Sequence, residues 1–253
     1  MPLSPTTAAK AETQWPTLSY DRFQTQVERA CKDPDYYLDQ RQLGTCGPIA
    51  VLHALASKAK GDFVKLTDEV YKNPSRIPED LRTSPDLNRR SDFLAAILAT
   101  HLLNEENHLL KFHATEGKRD LVAGSSSPGN IKHWIKEFFP EKTIKTYSSY
   151  FWGTMDNAKE INALWSHDKP DPIIFAVVNA ACLQPTSHLF THKLPGVLAM
   201  AAARGHFIQI TSPFHTENDE NIQFEAFTWG DTHHYSFTEK EFSRMILEFI
   251  VAI

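Results

Sequence analysis

The sequence predicts an α+β protein, with a helical front half and a C-terminal antiparallel sheet behind it. Three observations lead there. Up to about residue 139, apolar residues recur at spacings of three and four; after about residue 172 they run continuously or alternate over short stretches; and Pro, Gly and Asp clusters separate these segments. With 253 residues, 42% hydrophobic and 23% charged, the chain is long enough to bury a full core.

Residues 1–18 are expected to be a flexible N-terminal segment, because Met1 to Trp15 is rich in Ser, Thr, Pro and Ala and holds little to bury. Residues 19–253 read as a single domain. Phe23, Val27 and Cys31 mark one face of a short amphipathic helix, stopped by Asp33-Pro34-Asp35. The next helix, within Gln40 to Ala56, is apolar on nearly all sides through Ile49, Val51, Leu52, Leu55 and Ala56, which makes it central. Gly61 to Tyr71 is a further helix with Phe63, Leu66 and Val70 inward, and Asn73 to Arg90 reads as a surface excursion. Ser91 to Leu103 carries an apolar stripe, Lys111 to Asp120 is a weaker polar helix, and Ile131, Trp134, Ile135 and Phe138 repeat along a helix opened by Pro128 and stopped by Pro140.

Strands follow. Pro172 to Asn179 is a continuous apolar run of the fully buried kind; His206, Ile208 and Ile210 share one face of a second strand; and Asn221 to Trp229 alternates before Gly230-Asp231 ends it. Thr238 and Glu241 form a capping-box pattern that opens a helix through Phe242, Met245 and Ile246. Phe249 to Ile253 either continues that helix or turns into a closing edge strand.

The stretch with chemical character is Gln40 to Ala56. A Gly-Thr-Cys-Gly-Pro loop runs straight into the apolar helix, so Cys46 falls in the first helical turn, where backbone N–H groups lack intrahelical partners and stabilise a thiolate. Thiol catalysis also requires a base, a group orienting that base, and donors aimed at the developing oxyanion. Gln40 is placed to fold back across Leu43-Gly44-Thr45 as an oxyanion donor, with Gln42 the less favoured choice. His206, preceded by Gly205, faces one side of its strand as a candidate base.

These blocks, Gln40-x-x-Leu43-Gly44-Thr45-Cys46-Gly47, then Gly205-His206, then Trp229-Gly230, resemble the papain-like cysteine peptidase superfamily. The first is similar to the calpain-type pattern; the later pair also resembles bacteriocin-processing leader peptidases and papain-like toxins and effectors of bacteria. The resemblance implies a papain-like fold with a central catalytic helix packed on the sheet, Cys46 as nucleophile, His206 as general base and Gln40 as oxyanion donor. A helical insertion around 58–139 falls outside it. The implied activity is a cysteine-dependent hydrolase acting on a protein through a thioester, most often a peptidase. The same scaffold also serves glutamine deamidases, transglutaminase-like acyltransferases and catalytically dead binding modules.

One position departs from the pattern. Papain-like enzymes orient the histidine with Asn or Asp two residues before the Trp of the Trp-Gly turn, and here that place holds Phe227. Asp231, Glu225 or no third side chain are the alternatives. His53 lies two turns along the helix from Cys46, about 10 Å, too far for direct proton transfer, and reads as a core residue. Adjacent His233 and His234 point apart on an extended chain and make a poor zinc site.

Composition bounds the partners. A formal charge of −5, without a basic run, argues against nucleic acid, and no segment is apolar enough to span a bilayer. The three cysteines, Cys31, Cys46 and Cys182, suggest neither a disulfide framework nor a zinc site. No cofactor or metal is expected, and the partner is a protein or peptide substrate. The N-terminus lacks a secretory pattern, so synthesis in the cytoplasm is expected, with any export by a non-classical route.

Overall fold

The computed structural model describes residues 14–39, 45–87, 89–106, 112, 126–148, 154–165, 171–179, 183, 204–217 and 221–253. Helices and an antiparallel sheet make the protein α+β. The chain forms two compact units, one of Met1–Ser126 with Trp229–Asp231 and one of Ser127–Thr228 with Thr232–Ile253.

The first unit is built from helices. Helix α1 (Tyr20–Lys32) starts where the Ser19 hydroxyl accepts from the Arg22 N–H, and it buries Phe23, Gln26, Val27 and Ala30. Cys31, expected in that face, is only half-buried at its edge. Asp33 caps the short α2 (Pro34–Tyr37). Helix α3 (Cys46–Lys58) buries every residue from Gly47 to Ala56, as its all-round apolar surface requires. Helix α4 (Lys60–Lys72) turns in Phe63, Leu66, Val70 and Tyr71.

Two features of this unit differ from the sequence reading. Trp15 and Leu18, assigned to the flexible segment, are buried: the Trp15 indole donates to the Tyr71 carbonyl at 2.9 Å and the Tyr71 hydroxyl to the Leu18 carbonyl at 3.0 Å. The indole and phenol rings stack at 5.8 Å. The 73–90 excursion, with a 3-10 turn at Pro74–Arg76 and α5 (Glu79–Arg82), is anchored by buried Ile77, Leu81 and Leu87.

Helix α6 (Phe93–Glu106) is buried from Phe93 to Asn104, on all sides rather than along a stripe. Two of its polar residues, Thr100 and Asn104, are satisfied internally, while the buried His101 Nδ1 has no hydrogen-bond partner among the described residues. The Thr100 hydroxyl donates to the Ala96 carbonyl, and Asn104 accepts from the Phe112 N–H at 2.6 Å while its amide donates to the Arg76 and Phe112 carbonyls. His101 lies within 3.3 Å of the Arg76 guanidinium, which also pairs with Glu105.

The second unit holds the sheet. Helix α7 (Pro128–Phe138) opens on a Ser127/Asn130 capping box and buries Ile131, Trp134 and Ile135. Next come β1 (Ile144–Ser148), α8 (Thr154–Asn162), a 3-10 turn (Ala163–Trp165) and β2 (Ile173–Asn179). After them lie β3 (Arg204–Ile210), β4 (His215–Glu217), β5 (Asn221–Thr228), β6 (Asp231–Thr238), α9 (Glu239–Met245) and β7 (Ile246–Ala252). The strand order is β1-β7-β2-β3-β5-β4, with β6 also on β5.

The sequence reading placed the terminal residues in a helix or a closing edge strand. Instead α9 ends at Met245, and β7 lies between β1 and β2 inside the sheet, pairing Val251 with Ile174 and Phe249 with Ala176. The run Phe249 to Ala252 is buried on both faces, as an interior strand requires. His233 and His234 belong to β6, and β1, β4 and β6 were not anticipated. Beside the sheet, Phe214 meets Phe224, Phe242 and Phe249 edge-on, and Asn162 holds its backbone through both N–H and C=O.

Burial, with Arg76 nearby, pushes the His101 pKa down to about 4. The unfolded chain takes up that proton near pH 6.5, before the folded one does, so this contribution to stability is complete above pH 6.5 and is lost as pH falls towards 4. The loss is on the order of 3 kcal/mol. Urea midpoints of the wild type and His101→Gln at pH 7 and pH 5 check this: the variant is expected to lose less stability on acidification.

Candidate active site

Cys46 is the first residue of α3, half-buried and present as a thiol. Thr45, just before it, makes no side-chain capping bond, and its fully buried hydroxyl has no hydrogen-bond partner among the described residues. The Ile49 N–H already returns to the Thr45 carbonyl, and Pro48 has no N–H. Thr45 therefore does not cap the first turn through its side chain, and the positive end of a 13-residue helix lies at Cys46 and Gly47. Gln40, Gln42 and Cys182 lie outside the described residues.

His53, two turns along α3 from Cys46, is buried and its Nε2 lies 2.7 Å from the Asp35 carboxylate.

Trp229 and Gly230 belong to this first unit as well. Both have positive φ, 53° and 82°, as the two central residues of a type I′ hairpin turn require. At Gly230 a Cβ would fall 2.5 Å from the side chain of Asp39, so the position excludes any side chain on two counts. Asp231 follows as the exposed first residue of β6.

In the second unit His206 lies on β3 opposite Val178 of β2. Its ring is half-buried and closely surrounded, and this desolvation pushes its pKa down to about 4, so it is neutral at pH 7. Its Nε2 sits 2.5 Å from the hydroxyl of Thr228, the last residue of β5.

Strand register explains why Thr228 is the partner. Gln209 pairs with Phe227 and Ile210 with Ala226. Opposed residues share a face and faces alternate along each strand, so Thr228 shares the face of His206 while Phe227 and Glu225 point the other way. Phe227 is buried, 1% exposed, and Glu225, two residues back on the same face, is exposed, its N–H donating to the Ser212 hydroxyl. The sequence reading weighed Phe227, Asp231 and Glu225 and passed over Thr228. The period-two alternation of β5, counted back from Trp229, would have singled it out.

Among the described residues there is no group of three or more His, Cys, Asp or Glu side chains able to hold a metal ion, and His233 and His234 form none. No described helix is long and apolar enough to cross a membrane. No family model, curated protein or solved structure matches the chain.

Two outcomes follow. Thr228→Val is expected to release the His206 ring from a single tautomer, seen as a change in imidazole nitrogen NMR shifts that Thr228→Ser largely restores. Gly230→Ala is expected to lower stability by about 1–2 kcal/mol for the left-handed backbone alone, with the Asp39 clash adding to it, measured by chemical denaturation.

Proposed function

We propose that the protein is a cysteine-dependent hydrolase of papain-like type that cleaves protein or peptide substrates through a thioester, with Cys46 as nucleophile and His206 as general base. The observation that carries this reading is the hydrogen bond between His206 Nε2 and Thr228. It engages Nε2, and with Nε2–H donating to the hydroxyl, Nδ1 is the nitrogen proposed to take the proton. Thr228 takes over the orienting task that the pattern assigns to an Asn or Asp where this chain has Phe227.

The proposed chemistry uses Cys46 and His206 in turn. Nδ1 accepts the Cys46 proton as the sulfur attacks the carbonyl carbon. The oxyanion is stabilised by the first-turn amides of α3, with Gln40 as a further donor, and the imidazolium then protonates the departing amine. Water, deprotonated by the same nitrogen, releases the acid from the thioester. Because desolvation keeps His206 neutral near pH 7, the imidazole is in the form that accepts a proton. Hydrolysis with an effector- or toxin-like role is the resemblance-based part of the proposal.

Mass spectrometry of peptide libraries incubated with the protein tests the reaction. Fragments are expected, with Cys46→Ala lowering kcat/KM by on the order of 10³-fold or more. A mass gain from amide-to-acid conversion, or a cross-linked product, would replace peptidase by deamidase or acyltransferase. Iodoacetamide at neutral pH should modify Cys46 faster than Cys31, whose thiol pKa burial raises. Equal rates overturn the activated-cysteine reading and leave a binding module. The acid limb of kcat/KM should fall near pH 4, where His206 gains its proton.

A further inference from the structure

A cleft of about 460 Å³ opens on the first unit, away from α3, within the size range of small-molecule sites. One face of α1 supplies Arg22, Thr25, Gln26 and Arg29, residues spaced so that they lie along one side of the helix. The segment before α6 adds Arg89, Arg90 and Ser91, and α2 adds Tyr36 and Tyr37. Four arginines therefore line one concavity in a chain whose net charge is −5, and no carboxylate among the described residues lines it.

The cationic wall is held in place. Arg90 makes two parallel bonds of 3.0 Å to Asp92, and both side chains are under a tenth exposed. The buried Gln26 amide donates to the Ser91 carbonyl at 3.0 Å, fixing the adjoining segment, and Arg22 lies over the Phe93 ring at 5.6 Å. Asp92 is committed to Arg90, and Asp86 approaches the exposed Arg89 only at 3.8 Å. Arg29 has no ion pair among the described residues.

The remaining wall is aromatic. Tyr36 is 67% exposed, one of two large apolar side chains so displayed among the described residues, and its ring stands edge-on to Tyr37 at 4.9 Å. An exposed tyrosine beside several arginines offers a face for a planar ring next to forks that match phosphoryl oxygens.

We infer that this cleft binds a phosphorylated small molecule, with two or more phosphoryl groups against Arg22, Arg29 and Arg89 and a planar ring against Tyr36. Such an anion relieves the mutual repulsion of the guanidinium groups, so binding raises stability. The half-open shape and its limited volume suit a nucleoside diphosphate rather than a polymer. The inference is independent of the chemistry proposed for Cys46.

Calorimetric titration of the full chain with ADP, pyrophosphate and adenosine tests it, using the exposed-residue variants Arg29→Gln, Arg89→Gln and Tyr36→Ala. ADP and pyrophosphate are expected to bind and to raise Tm, adenosine to bind far more weakly. Each arginine variant should lose about tenfold in affinity for both phosphates, the effect of one charge-assisted hydrogen bond. Tyr36→Ala should weaken ADP alone. Absence of phosphate binding at millimolar concentration, or arginine variants that bind like the wild type, would overturn the site. A Tyr36→Ala effect equal on ADP and pyrophosphate would overturn the ring-stacking assignment.

Discussion

Burial of α3 is the constraint on which the first unit depends. Ten successive residues, Gly47 to Ala56, lie out of water. A helix packed on every side cannot rotate or slide without uncovering apolar surface, at about 25 cal/mol per Å². Its first residue is therefore held in one place. Cys46 gains a fixed position and a local field from that packing.

The second unit reaches the same end by a different route. His206 is placed by strand pairing, where β2 on one side and β5 on the other set which way the ring faces. Thr228 brings a hydroxyl to the His206 Nε2, which lends the ring no negative charge. The low pKa of His206 is the consequence, since desolvation acts with no anion to offset it. Phe227 then ceases to be a damaged triad position and becomes a core residue on the other face of the same strand.

Much of this was legible in the chain. The 3.6 period of α1, α4 and α7, the all-round apolarity of α3 and the continuous run of β2 each force one solution, because a single type of element buries those residues. What escaped was set by long-range pairing. Nothing local distinguishes Ile246–Ala252 as an interior strand, since the same apolar run suits a helix end, and the choice is made by β1 and β2. Trp15 looked like part of a tail because its partner, the Tyr71 carbonyl, is 56 residues away. Thr228 was hidden by a motif that directs attention to Phe227, when the alternation of the strand already faced Thr228 towards His206.

The position of β7 also governs how the sheet assembles. β1 and β2 are not neighbours; each pairs with the strand made of Ile246–Ala252, which is joined to them by the most sequence-distant contacts in the sheet. Until that strand arrives, β2 has an open apolar edge and β1 has no partner in the sheet. Loop closure over such distances is slow, and an unpaired edge of Ile, Phe and Val is a template for other chains. Folding of the second unit is thus a race between insertion of its last strand and association between molecules, so refolding yield should depend on protein concentration even where the folded state is fully stable.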